Sequence, residues 1–235
     1  MRSDVSALTC QEKEDAADKS AAKIFLLTDP NVRQFKTLDQ FDQRYCQMFP
    51  SWIKDMSNYR SCLRPFQKTL FNMMIISMRR TWKKFCTNQK SMEVVFQHLK
   101  CIDPETKPVF MRMGDKITTG VTYLANLPQV NDMIPGLCCS LLDVSEEGEQ
   151  ITAEACRDKT GPETGKFVVE VTYSALSDAV EIMCGNFQTK ADCEAKVPDL
   201  MRNMTAVLAS PKHHNHSPLK PMLKFVNRMD KEFNV

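Results

Sequence analysis

Residues 63–86 read LRPFQKTLFNMMIISMRRTWKKFC and contain the clearest periodic pattern of the chain. Apolar side chains recur there at steps of three and four residues, a spacing that aligns them on one face of an α-helix. Ser77 and Thr81 continue this face, and Pro65 fits the first helical turn, where its missing N–H loses no partner. The pattern predicts one long amphipathic helix with these apolar residues on its buried side: Leu63, Phe66, Leu70, Met73, Met74, Trp82 and Phe85.

Helical patterns also cover most of the chain outside this segment, for example near 130–143, 146–158, 166–184 and 190–209. The chain has only seven glycines, whereas residue types that favour helices, including 15 methionines, are abundant. The sequence therefore predicts an all-α fold, a disulfide-stapled multi-helix bundle of about eight helices.

The chain of 235 residues is expected to form a single helical domain, 1–235, because this length is sufficient to bury one core. The Pro-containing loop 103–108 is the best candidate for a linker. It leaves open a division into two helical halves, about 1–103 and 109–235. No internal repeat of fixed period relates the two halves.

The number and spacing of the cysteines indicate the compartment in which the protein is found. They are ten in number, irregularly spaced and without a C-x-x-C pair, a pattern typical of a disulfide framework in a secreted, extracellular protein rather than of a zinc or redox site. Roughly 945 pairings are conceivable, and the sequence does not choose among them. The expected disulfide residues are Cys10, Cys46, Cys62, Cys86, Cys101, Cys138, Cys139, Cys156, Cys184 and Cys193.

Two features nevertheless restrict the pairing. Cys62 and Cys86 lie at opposite ends of the long predicted helix, too far apart to bond each other. Cys138 and Cys139 are adjacent, and a bond between neighbours requires a strained ring and a distorted peptide. We therefore expect each of these two to pair elsewhere, which would tie one helix to two other elements at the same level.

Several function classes are disfavoured. The formal net charge is +2, too small for a generic nucleic-acid binder. No stretch reaches the about 18 apolar residues of a transmembrane segment. The chain has no G-x-S-x-G, H-E-x-x-H or P-loop motif, so we expect no enzymatic activity and no cofactor. The run Cys138 to Asp143 resembles the C-C-x-x-H-D motif of secreted phospholipases, but Leu142 occupies the position of the catalytic histidine.

Two sets of side chains are candidate binding residues. Methionine adapts to varied apolar shapes, and it is also ordinary core filler; the candidate ligand-lining residues are Met73, Met74, Met78, Met111, Met113 and Met133. A basic patch on one helix face could contact an anionic lipid, a glycosaminoglycan or an acidic partner, or could simply face solvent. It consists of Arg79, Arg80, Lys83 and Lys84.

The histidines and sequons suggest little chemistry. We expect His98 to be a structural residue with a backbone partner, and His213, His214 and His216 to lie in a solvated loop, so no metal site is predicted. Asn203 and Asn215 begin sequons for N-glycosylation, although Pro218 follows the second one directly.

The order of the cysteines and their neighbours resembles that of a family of secreted, cysteine-rich helical proteins of arthropods. The segments that carry the resemblance are Cys46, YRSCLRPF at 59–66, RTWKKFC at 80–86, FQHLKCI at 96–102, Cys138-Cys139, Cys156, Cys184-Gly185 and Cys193. The chain is also distantly similar to the insect 27 kDa haemolymph glycoproteins over about residues 40–200. This resemblance implies an extracellular, disulfide-bonded helical protein of a body fluid or a secretion, and it implies no enzymatic activity or agreed ligand.

Two functions follow as hypotheses. The first is a secreted, non-catalytic binding protein that carries a small hydrophobic ligand among Met-rich helices. The alternative is a structural or interaction component of an arthropod secretion such as saliva, venom, silk or glue, which binds another protein or macromolecule. An unrecognised hydrolase is a third reading, which two converging carboxylates in a cleft would support. A cavity of roughly 300 Å³ or more would favour the carrier.

Overall fold

The computed structural model describes residues 8–25, 34–212, 217 and 219–233. These residues form ten α-helices of seven residues or more and one four-residue turn of helix, and no strand occurs among them. The predicted all-α class is confirmed. The helices are α1 (Cys10–Phe25), α2 (Leu38–Phe41, which continues as a π-helix, Asp42–Cys46), α3 (Phe49–Tyr59), α4 (Pro65–Cys86), α5 (Gln89–Leu99), α6 (Lys107–Leu124), α7 (Met133–Cys156), α8 (Glu163–Met183), α9 (Lys190–Lys196), α10 (Pro198–Ala209) and α11 (Leu219–Phe233).

Two expected helix boundaries were wrong. The patterns at 130–143 and 146–158 belong to the single helix α7, because Val144, Gly148, Thr152 and Cys156 form a continuous buried stripe with a spacing of four residues. The pattern at 190–209 is divided between α9 and α10. Pro198 begins α10 at a position where a proline ring would disrupt a continuing helix.

All ten cysteines are bonded, which confirms the predicted disulfide framework. Cys62 and Cys86 bond different partners, as expected. Cys138 bonds Cys184, which follows α8, and Cys139 bonds Cys193 in α9. Helix α7 is therefore tied to two elements at one level. The pairs are Cys10–Cys62, Cys46–Cys86, Cys101–Cys156, Cys138–Cys184 and Cys139–Cys193.

The core continues across the loop at 103–108. One cluster of buried residues combines side chains of α1, α3 and α4 with Leu219 and Leu223 of α11. The Cys101–Cys156 bond also joins residues on the two sides of this loop. The chain has no cysteine after Cys193, so α10 and α11 are held by noncovalent contacts alone.

Helices α7 and α8 approach each other most closely at Gly165. A Cβ atom at this residue would lie 2.2 Å from the carbonyl oxygen of Glu149 and 2.9 Å from the amide nitrogen of Ala153. Both atoms belong to the backbone of α7, so only glycine permits this distance between the helices. The contact fixes the N-terminal half of α8 against α7.

Candidate functional site

Helix α8 has an unusual pattern of exposure. Every residue from Val171 to Val180 is partly exposed, whereas a helix on the surface of a bundle normally alternates between buried and exposed faces. This helix packs against α4 on one side and α7 on the other. Partial exposure on all sides of a packed helix means that space remains beside it. Seven of these ten residues line three apolar cavities, I, II and III, whereas Ser174, Ser177 and Asp178 line none of them.

Cavity I lies between α4, α8 and the aromatic residues of the N-terminal helices, and its volume is about 110 Å³. The polar atoms of two wall residues are already occupied. The Tyr45 hydroxyl donates to the carbonyl oxygen of Ile24 at 2.9 Å, and Trp82 Nε1 donates to that of Cys46 at 3.0 Å. Burial raises the pKa of Tyr45, so its phenol stays neutral. The cavity therefore offers mainly ring faces and edges; the aromatic wall residues are Phe25, Phe41, Tyr45, Phe49, Trp82, Phe85 and Phe167.

Cavity II lies between α4, α6, α7, α8 and α11, and its volume is also about 110 Å³. Gln67 is the polar side chain in its wall, and its amide groups bond Asn227 and the backbone amide of Arg64. The remaining wall is apolar and includes four methionines, Met74, Met183, Met222 and Met229. Because methionine has three rotatable bonds, this wall can adapt to different apolar shapes.

Cavity III, of about 60 Å³, connects the other two along α8. It shares Val168 and Thr172 with cavity I. It shares four wall residues with cavity II, namely Ile117, Leu141, Leu176 and Val180. The cavities are therefore neighbours separated by individual side chains. None of them alone reaches the roughly 300 Å³ of a common ligand pocket or the about 150 Å³ of an apolar cavity that binds benzene, so a ligand has to occupy adjacent cavities together.

The predicted methionines have different positions. Met74, Met78 and Met113 line cavities II, I and III respectively. Met133 is fully buried in the core between α6, α7 and α10. Met73 and Met111 are half-buried and line none of the three cavities.

The helix at 166–184 was predicted, but its central place among the cavities and the lining methionines of α11 were not. A signal was present in residues 167–183, whose apolar side chains point in nearly all directions around the helix. Such a helix is expected to be surrounded by other elements rather than to lie on the surface. The pattern does not reveal that the surrounding helices leave space.

The predicted basic patch lies on the outer side of α4. Arg79, Lys83 and Lys84 are exposed. Arg80 forms an ion pair with Asp178 of α8 at 3.2 Å, so one of the four charges is compensated. The patch is therefore a solvent-facing helix surface with three remaining charges.

The other predicted positions contribute no site in the described residues. Asn203 is exposed on α10, whereas Asn215, His213, His214 and His216 lie outside the described residues. Among the described residues, no group of His, Cys, Asp and Glu side chains could hold a metal ion. No described helix is long and apolar enough to cross a membrane.

His98 packs beside the wall of cavity I. Its ring stacks on Phe167 with centroids 4.1 Å apart, and its Nδ1 lies 2.9 Å from the hydroxyl oxygen of Thr164. The predicted backbone partner is thus replaced by a side-chain hydroxyl. Burial lowers the pKa of His98, and the opposing attraction of Glu163 is weaker. The residue is neutral near pH 7 and acts as a structural contact between α5 and α8.

This pKa shift predicts a pH dependence of stability. Because the folded-state pKa lies below the ordinary 6.5, the unfolded chain binds the proton first. We expect the free energy of unfolding to fall as the pH decreases through 6.5 towards the folded-state pKa of His98. Urea unfolding at about pH 7.5 and about pH 5.5 measures this difference. It should be smaller for His98→Gln, which keeps a hydrogen-bonding group, and an unchanged difference would contradict the assignment.

No protein-family model matches the sequence, and no curated protein and no solved structure matches the chain. The geometry of the cavities and the disulfide framework are therefore the observations that bear on function.

Proposed function

We propose that this protein is a secreted, non-catalytic carrier that holds a small hydrophobic ligand in the cavities along α8. The partial exposure of ten consecutive residues on this packed helix, Val171 to Val180, carries the proposal. Empty apolar space costs stability, since the side chains around it lose packing contacts. A ligand that fills the space restores those contacts.

The geometry favours a slender, flexible ligand such as an unbranched hydrocarbon chain. Each cavity is too small for a bulky rigid molecule, but adjacent cavities share Thr172, Leu176 and Val180 as partitions. Rotation of these side chains would join the cavities into a channel that follows α8. The methionines of cavity II would adjust to the end of the chain without movement of the backbone.

The disulfides support the extracellular part of this proposal. Five bonds in one chain persist in oxidising compartments and are rare in the cytosol. The resemblance to secreted arthropod proteins of body fluids agrees with such a location and is part of the proposal.

Filling the cavities tests the function. Ala175 lines cavity I and Ala179 lines cavity II, so Ala175→Phe and Ala179→Phe place a ring in each space. We expect each variant to bind a fluorescent long-chain hydrocarbon probe at least about tenfold more weakly, a loss of roughly 1.4 kcal/mol. The matched control is Ala206→Phe, because Ala206 is exposed on α10.

Two readouts complete this experiment. Trp82 lies in the wall of cavity I, so a ligand there should change its fluorescence, and Trp82→Phe should remove the change. Thermal unfolding confirms that the variants are folded. The carrier function is wrong if the natural protein is consistently empty by native mass spectrometry and binds no probe. It is also wrong if the control loses as much affinity as the filled variants.

A further inference from the structure

A second concave surface, lined by both polar and apolar atoms, lies between α1, the end of α3 and the first turns of α4. It is an open groove of about 760 Å³. Three basic side chains and no acidic side chain line it. The residues used below are Lys13, Asn58, Arg60, Ser61, Lys68 and Asn72.

No carboxylate of the described residues forms an ion pair with the basic side chains of this groove. Lys13 Nζ donates to the Ser61 hydroxyl at 3.1 Å, and Arg60 Nη1 donates to Asn72 Oδ1 at 3.3 Å, so both contacts are to neutral oxygens. Within the described parts of the chain, neither of these residues nor Lys68 forms a salt bridge. The neighbouring Arg64, by contrast, is paired with Asp230 at 3.2 Å.

A covalent bond fixes the arrangement. Cys10–Cys62 ties the first residue of α1 to the short turn that follows α3. Lys13 lies one turn after Cys10, and Arg60 and Ser61 directly precede Cys62. The cations from the two segments are therefore held together without a ligand. Such preorganisation lowers the entropy lost on binding.

We propose that this groove binds an anionic carbohydrate chain that carries sulfate groups. A guanidinium forms paired hydrogen bonds with such oxyanions, and the two lysines add point charges. The side-chain amides of Asn58 and Asn72 can donate to and accept from sugar hydroxyls. The Ser61 hydroxyl accepts from Lys13 and donates to the carbonyl oxygen of Asn58, so it can only accept a further hydrogen bond. Since the net charge of the whole chain is only +2, a general attraction for polyanions is weak and the groove has to supply the binding locally.

The test compares two triple variants. Lys13→Ala/Arg60→Ala/Lys68→Ala removes the charges of the groove, and Arg79→Ala/Lys83→Ala/Lys84→Ala removes three charges from the outer side of α4. We expect calorimetry with a sulfated hexasaccharide to show at least tenfold weaker binding, about 1.4 kcal/mol, for the groove variant only. Added salt should weaken the binding by the wild-type protein.

Further ligands and variants identify the chemical groups that the groove recognises. The desulfated hexasaccharide and inorganic sulfate should bind weakly, because each lacks half of the recognised chemistry. Preferential binding of anionic lipid vesicles would overturn the proposal in favour of a membrane surface. Equal losses of affinity in the two triple variants would overturn the proposal in favour of nonspecific charge attraction. The double variant Arg60→Ala/Lys68→Ala leaves α1 intact, and unchanged binding by this variant would also overturn the proposal. Binding of the hydrocarbon probe should not change in the groove variant, so this proposal can fail independently of the carrier function.

Discussion

Replacement of Cys138, Cys139, Cys184 and Cys193 by alanine is expected to lower the free energy of unfolding by more than about 4 kcal/mol. The two bonds close loops with sequence separations of 46 and 54 residues, and a bond of this kind contributes about 2–4 kcal/mol. The two loops overlap over residues 139–184, so the combined effect should be smaller than two independent contributions. A loss of this size is comparable with the whole stability of an ordinary domain, about 5–15 kcal/mol.

Urea unfolding followed by circular dichroism measures the loss. The matched control is Cys10→Ala/Cys62→Ala, which removes one bond near the end of the chain and should cost about 2–4 kcal/mol. An equal or larger loss in the control would contradict a central role for the pair of bonds on α7.

Gly165→Ala is expected to destabilise the protein by about 2–3 kcal/mol. The new Cβ would collide with backbone atoms of α7, the Glu149 oxygen and the Ala153 nitrogen, which cannot rotate away as a side chain can. The two helices have to separate, and the cavities along α8 would change shape with them.

Gly120→Ala is the matched control for this substitution. A Cβ at Gly120 would meet the Leu208 side chain at 3.4 Å, an ordinary contact distance, and alanine favours a helix over glycine by up to about 1 kcal/mol. The control should thus be neutral or stabilising in thermal unfolding. A Gly165→Ala protein as stable as the wild type would show that α7 and α8 lie farther apart than described.

Local patterns allowed much of the fold to be predicted. The apolar pattern of 63–86 predicted a helix correctly, since helical spacing is a property of neighbouring residues. The predicted buried face was wrong in part: of its seven apolar residues only Leu63 and Met74 are buried, and the buried face also includes Phe71, Ile75 and Met78. The adjacency of Cys138 and Cys139 was enough to show that each pairs elsewhere. Their partners could not be predicted, because the position of Cys184 relative to Cys138 depends on how α7 and α8 pack.

The candidate sites were less accessible to prediction for the same reason. Arg79 to Lys84 are close in sequence and were noticed, although Arg80 is paired and the others face solvent. Lys13 and Arg60 belong to distant segments, and they are brought together by the packing of α1 against α3 and by the Cys10–Cys62 bond. Likewise, methionine content indicated an adaptable wall, but Met74 meets Met222 and Met229 only after α11 has folded onto α4.

The absence of cysteines after Cys193 has a consequence for ligand uptake by the proposed carrier. Helix α11 forms one wall of cavity II, and its polar contacts include the ion pairs Lys220–Asp15 and Arg64–Asp230. A portal could open at this wall by breaking ion pairs and apolar contacts, with every disulfide left intact. Uptake and discharge of cargo in an oxidising fluid would then be governed by ionic strength and temperature rather than by thiol chemistry.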